Sequence, residues 1–118
     1  MAQALYEEAI EESFSFLGVT DPLAAAQTYY DQPINNINWA SSPNKISAII
    51  NQKWIALNGT SSIELWIEKT RTGFPANLPI PAESDGVRPV RLLYPASEVA
   101  RNTANVPTQT VQDAFNSN

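Results

Sequence analysis

Four stretches of this chain carry apolar residues at helical spacing, and a glycine or a proline closes each one. That pairing of period and stop is the strongest constraint on the fold. Tyr6, Ile10, Phe14 and Leu17 recur at four, four and three residues and share one face of a helix predicted over 2–17, widened by Leu5, Ala9 and Phe16. Gly18 then stands where a left-handed residue ends a helix. Thr20, Asp21 and Pro22 read as a new start, with a capping side chain followed by proline in the first turn. This second helix is expected over 21–31, until Gln32 and Pro33 stop it. A third is expected over 43–57, with Ser42 as cap and Pro43 in the first turn. Its stripe is Ile46, Ile49, Ile50, Trp54 and Leu57, and its stop is Asn58-Gly59. A fourth runs over 61–71 with Ile63, Trp66, Ile67 and Thr70 on one side, and ends at Thr72-Gly73.

Beyond Gly73 the chain changes character. Pro75, Pro79, Pro81 and Asp85-Gly86 predict an irregular, proline-rich arm over 74–118. Within it, Arg88 to Pro95 reads as a short extended segment that Pro89 would confine to a sheet edge. Ala96 to Arg101 reads as a brief helix. The asparagine-rich end (Asn102, Asn105, Asn116, Asn118) reads as an exposed tail or an arm lying on something else. The expected class is all-α: packed helical hairpins, tetratricopeptide-like in helix pairing but without a repeated consensus.

Composition closes several chemistries. The 118 residues contain no cysteine and no histidine, so there is no disulfide framework, zinc finger, haem ligand, thiol nucleophile or Ser-His-Asp triad. No stretch approaches the roughly 18 apolar residues of a membrane span. Residues 1–40 carry Glu7, Glu8, Glu11, Glu12, Asp21 and Asp31 with no lysine or arginine, while all seven basic residues lie beyond. Nothing forms the basic stripe that nucleic acid requires, nor a polybasic membrane patch.

The pairs Glu7/Glu11 and Glu8/Glu12, and Glu64 with Glu68, have cation-ligand spacing. Di-metal carboxylate helices add histidine, absent here, so these read as solvated faces and no metal or cofactor is expected. Asn58-Gly59-Thr60 matches a glycosylation acceptor but is explained by its helix-stop role. Arg71 and Arg91 read as surface or carbonyl-bonding residues. Trp54 and Trp66 lie on helical stripes and are expected in the core.

The loop 33–44 is the chemically suggestive segment. Sugar sites combine a flat aromatic face with amides that bond hydroxyls. Trp39 with Asn35, Asn36 and Asn38, and Tyr29 and Tyr30 just upstream, supplies both. A tryptophan that plugs a core edge uses the same residues, and that reading is the simpler one. The candidate sugar-contact residues are Trp39, Tyr30, Asn36 and Asn38.

Three ordered blocks then carry a resemblance. Ile46 to Gly59 contains Gln52-Lys53-Trp54-Ile55-Ala56-Leu57. Glu64 to Pro75 contains Trp66 and Arg71-Thr72-Gly73-Phe74-Pro75. Arg88 to Pro95 ends in Tyr94-Pro95, with Glu98 and Asn102 beyond. Together they resemble the C-terminal region of the SusD/RagB family. The resemblance implies an α-rich, non-catalytic outer-membrane lipoprotein that captures glycans or other nutrients and closes over a TonB-dependent transporter. It marks Gln52, Lys53, Trp54 and Arg71 as structural residues. Family members are longer, so the resemblance also implies a C-terminal scaffold part, with exposed apolar surface and self-association as consequences. The alternative is a docking module for the transporter with no ligand contact. A glycosidase using carboxylates alone is also compatible with the composition.

Overall fold

A computed structural model describes residues 1–80, 82 and 86–116. The chain divides into two units, Met1–Asn77 and Leu78–Asn118. Among the described residues the structure is helical, without strands. The first unit holds α1 (Ala2–Phe16), α2 (Pro22–Tyr30), α3 (Lys45–Leu57) and α4 (Ser62–Thr72). Sequential helices pack as hairpins, α1 on α2 and α3 on α4, and α1 also touches α3.

The stops act as the sequence predicts. Leu17 caps α1 and Gly18 follows at φ 70°. Val19 N–H donates to Phe14 O at 3.1 Å and Gly18 N–H to Ser15 O at 3.0 Å, the paired bonds of a Schellman ending. After α3, Asn58 is extended and Gly59 sits at φ 86°. Thr60 N–H and Ser61 N–H then return to Leu57 O, each at 3.0 Å. Gly73 ends α4 at φ 76°, and Lys69 Nζ donates to Gly73 O and Pro75 O at 2.7 and 2.6 Å.

The starts depart from expectation. Pro22 does open α2, but Asp21 stands before it at φ 50° with no side-chain capping bond. For α3 the cap is Asn44, whose Oδ1 accepts Ser47 N–H at 3.0 Å. The helix therefore begins at Lys45, two residues later than Pro43. Ser42 is fully buried and bonds within the preceding loop, so its hydroxyl is unavailable as a cap.

Burial follows the α1 stripe through Tyr6, Ile10 and Phe14 and departs from those of α3 and α4. The core of the first unit is Tyr6, Ile10, Ala26 and Ala48, with Phe14, Tyr29, Tyr30 and Trp39 packed around it. Phe14 and Tyr29 meet as tilted rings, centroids 5.7 Å apart. In α3 the buried residues are Ser47, Ala48 and Ile50, while Ile46 is 55 % exposed and Ile49 40 %. In α4 only Leu65 is buried, and Ile63 and Ile67 face solvent. Trp54 and Trp66 are half-buried rather than core residues.

One carboxylate couples α3 to α4. Glu68 accepts from Lys53 Nζ at 2.9 Å and from Arg71 Nη2 at 2.5 Å, which replaces the solvated role read for it. Glu64, in contrast, is exposed. These two bonds, Lys53 first and Arg71 second, hold the Glu68 carboxyl below its usual pKa.

The second unit contains α5 (Ala96–Arg101), with the expected bounds, and a 3₁₀ turn over Val111–Ala114. The segment 88–95 is irregular rather than a sheet edge. Within this unit Gln109 and Ala114 bond to that segment of their own chain. Val90 and Arg91 N–H both donate to Ala114 O, at 2.8 and 3.3 Å, and Tyr94 N–H donates to Gln109 Oε1 at 3.0 Å. Pro81, Asp85 and Asn118, named above, lie outside the described residues.

Two outcomes are expected. Gly18→Ala forces a Cβ into left-handed backbone and should cost about 1–2 kcal/mol in denaturant unfolding. Glu68 stabilises the fold above the ordinary carboxylate pKa, and that contribution disappears as pH falls through its depressed folded value. The melting-temperature gap between wild type and Glu68→Gln should therefore be present at neutral pH and close on acidification.

Candidate functional site

The loop between α2 and α3, residues 31–44, is built around Tyr6. This side chain projects from α1, is 6 % exposed, and donates its hydroxyl to Ile37 O at 2.8 Å. A longer contact of 3.3 Å reaches Asn36 O. Burial, with smaller contributions from Tyr29 and Glu7, pushes the Tyr6 pKa up to about 12. Trp39 lies against the Tyr6 ring, centroids 5.2 Å apart at 51°. Lys45, the first residue of α3, places Nζ 5.1 Å from the Trp39 ring centroid and donates it to the carbonyls of Trp39 and Ser42. The indole is thus half-buried between a tyrosine and an ammonium group.

Asn36 adopts φ 65°, left-handed backbone that asparagine tolerates better than most residues. Its N–H donates to Ser42 Oγ at 2.8 Å, and its carbonyl accepts Gln52 Nε2 at 2.7 Å. Its side-chain Oδ1 is buried without a protein partner. Asn38 is committed at both ends: Nδ2 donates to Tyr30 O and Oδ1 accepts Ser41 N–H, each at 2.9 Å. Tyr30 donates its hydroxyl to Glu11 Oε1 at 3.0 Å. Burial and that bond raise the Tyr30 pKa to about 12. Ser42 closes the loop by donating to Asn38 O at 2.7 Å.

The structure therefore brings Trp39, Tyr30, Asn36 and Asn38 together in one loop-and-helix corner. Their hydrogen-bonding atoms point mainly into the protein. Gln52 joins the corner from α3 and also lies 3.2 Å from the Tyr29 hydroxyl. Asn35 is exposed. Among the described residues no group of three or more carboxylates forms a metal-holding cluster.

A second concave feature was not singled out by sequence. A groove of about 790 Å³ runs between α1 and α3, walled by Ala2, Leu5, Ala9, Ser13 and Leu17 on one side and Ile49, Ile55 and Ala56 on the other. Leu5, Leu17 and Ile55 are each about 60 % exposed or more. Periodicity marks Leu5, Ala9, Leu17 and Ile49 as helix-face residues, while Ile55 and Ala56 stand outside the predicted stripes, and nothing in a period says whether a face is covered.

The loop's hydrogen bonds carry two expected outcomes. Ser42→Ala leaves Asn36 N–H without its acceptor and should cost about 1–3 kcal/mol by chemical denaturation. Tyr6 and Tyr30 have folded pKa values above their ordinary 10, so their contribution holds below pH 10 and is lost as pH rises toward 12. Alkaline unfolding monitored by circular dichroism should begin above pH 10 and move higher in the Tyr30→Phe variant.

The family profile described as starch-binding and associating with the outer membrane, SusD-like, matches residues 1–95. That span takes in all four helices of the first unit, the Tyr6-anchored loop and the segment ending at Pro95. Comparison with the curated proteins and with solved structures returned no match. The family is a binding family, and its helical fold agrees with the architecture observed. With more than three quarters of its length matched, this chain belongs to the SusD-like family of starch-binding, outer-membrane-associating proteins.

Proposed function

We propose that this chain is the scaffold part of a non-catalytic, surface glycan-binding protein that feeds a TonB-dependent outer-membrane transporter. The protein is held at the membrane by a lipid anchor outside these residues. The observation that carries the scaffold role is the direction of the loop's polar atoms. Asn38 is used at both ends, the Tyr30 hydroxyl is spent on Glu11, and Ser42 and Gln52 lock the Asn36 backbone. A sugar needs donors and acceptors aimed outward, with an aromatic face free to cover its apolar side. Here one neighbour of the indole is Tyr6 and another is Lys45. In this reading the loop is a plug that positions α1 and α3, and the family's glycan contacts come from elsewhere.

A second reading keeps Trp39, Tyr30, Asn36 and Asn38 as the sugar contacts themselves. The exposed part of the half-buried indole, beside exposed Asn35, favours it.

Affinity electrophoresis on starch gels, run on the intact glycan-binding protein of which this chain is the scaffold part, separates the two. Wild type should be retarded, and Tyr30→Phe and Asn38→Ala should be retarded equally, with Asn38→Ala less stable by about 1–3 kcal/mol. Loss of retardation in a folded Tyr30→Phe or Asn38→Ala variant would instead establish the sugar-contact reading. A wild type that runs unretarded on starch and on other glycans contradicts both. A reducing-sugar assay should detect no release from starch.

A further inference from the structure

We propose that Asn58 is a site of spontaneous modification, where the backbone nitrogen of Gly59 displaces the side-chain amide as ammonia and leaves aspartate and isoaspartate. Both reacting groups are neighbours in the turn between α3 and α4, so the reaction needs no partner beyond water. It is independent of how the wider protein meets its glycan.

The turn presents the two groups together. Asn58 has ψ 120°, Gly59 follows at φ 86°, and Thr60 N–H donates to Leu57 O at 3.0 Å. This is a type II turn, with glycine at the position that requires positive φ. Ser61 N–H and Thr60 Oγ1 also donate to Leu57 O, whereas the Gly59 N–H takes no part in this bonding. Asn58 and Gly59 are both exposed. Among the described residues nothing is bonded to the Asn58 side-chain amide.

Attack requires the Gly59 nitrogen to reach Asn58 Cγ, and this turn allows it. Exchange of a type II for a type I turn flips the Asn58–Gly59 peptide plane while the Leu57–Thr60 bond remains. One sense of that rotation swings the nitrogen past the Asn58 side chain. Glycine has no Cβ to obstruct the approach or to resist the change in φ. The other asparagines of the first unit lack this combination. Asn38 is bonded at both ends, Asn44 Oδ1 caps Ser47 N–H, and Asn51 lies within α3 and donates to Ser47 O. Asn35, Asn36 and Asn77 precede asparagine, isoleucine and leucine, whose side chains crowd the attacking nitrogen.

The step balances without an oxidant or reductant. Base removes the Gly59 amide proton, the nitrogen bonds to Asn58 Cγ, and the Cγ–Nδ2 bond breaks as ammonia leaves with a proton from water. Water then opens the cyclic imide. Attack at Cγ gives aspartate, and attack at the main-chain carbonyl carbon gives isoaspartate. Either product places a new negative charge next to Leu57 at the C-terminal end of α3, where the helix dipole disfavours it. Isoaspartate also inserts a methylene into the main chain of the turn.

The test ages the intact protein in mildly alkaline buffer and follows each asparagine by peptide mapping with mass spectrometry. Labelling by an isoaspartyl methyltransferase counts the isomerised product. Asn58 should convert about tenfold or more faster than any other asparagine of the first unit, and faster still as pH rises. Asn58→Gln, which must close a larger ring, and Gly59→Ala, which crowds the nitrogen, should each slow the reaction by about tenfold or more. The circular dichroism spectrum of Asn58→Gln should be unchanged. Conversion at Asn58 no faster than at Asn35 or Asn77 overturns the proposal. So does an Asn58 that survives in the folded protein while the urea-unfolded protein converts there, or a Gly59→Ala variant that converts at the wild-type rate.

Discussion

The hydrogen bond from the Tyr6 hydroxyl to Ile37 O holds this architecture in register. It ties the first helix to the middle of a loop some thirty residues later, and it does so from within the core. Losing it would leave the carbonyl of half-buried Ile37 without this donor, a cost of about 1 kcal/mol. The rest of the corner follows from it. With Ile37 fixed, Trp39 falls onto the Tyr6 ring, and Ser42 lies within reach of both Asn36 and Asn38. Lys45 then closes over the indole as α3 begins. The loop between the two hairpins is thus held by its own hydrogen bonds as well as by the helices it joins.

How much of this the sequence discloses depends on the range of the interaction. Helix endings are local, and Gly18, Gly59 and Gly73 all sit at positive φ where a stop was read. The α3 start was misread because Ser42 and Asn44 are both good caps by residue type, and only the tertiary need of the loop for the Ser42 hydroxyl decides between them. The stripes were correct as periods and incomplete as burial. Ile46, Ile49 and Ile50 share the predicted stripe, yet of the three only Ile50 is buried, together with Ala48, which the stripe did not include. Glu68 shows the same limit for charge: its spacing from Glu64 suggested a solvated face, while its partner Lys53 comes from another helix.

The candidate site illustrates the most general difficulty. Asparagine beside tryptophan is equally good material for a sugar platform and for a self-bonded loop, because the same amides serve both. Composition cannot state which way Asn38 points; the bonds to Tyr30 O and from Ser41 N–H do. The α1–α3 groove is the complementary case. Leu5, Ala9, Leu17 and Ile49 were legible as helix-face residues, but their exposure emerges only once α2 and the loop are seen to pack against the neighbouring Tyr6, Ile10 and Phe14 of α1. Membership of a starch-binding family is compatible with both features. The family assigns a class of ligand, and the geometry divides this chain's surface between a locked corner and an open apolar channel.

The central claim is that Tyr6 locks the 31–44 loop as part of the core. Hydrogen exchange of the Asn36 amide, whose acceptor is the Ser42 hydroxyl, reads this directly. In wild type its protection should approach that of the α1 amides around Ile10, and in Tyr6→Phe it should fall by about tenfold or more while α1 remains protected. An Asn36 amide that exchanges freely in wild type, or one whose protection is the same in both proteins, would contradict the account.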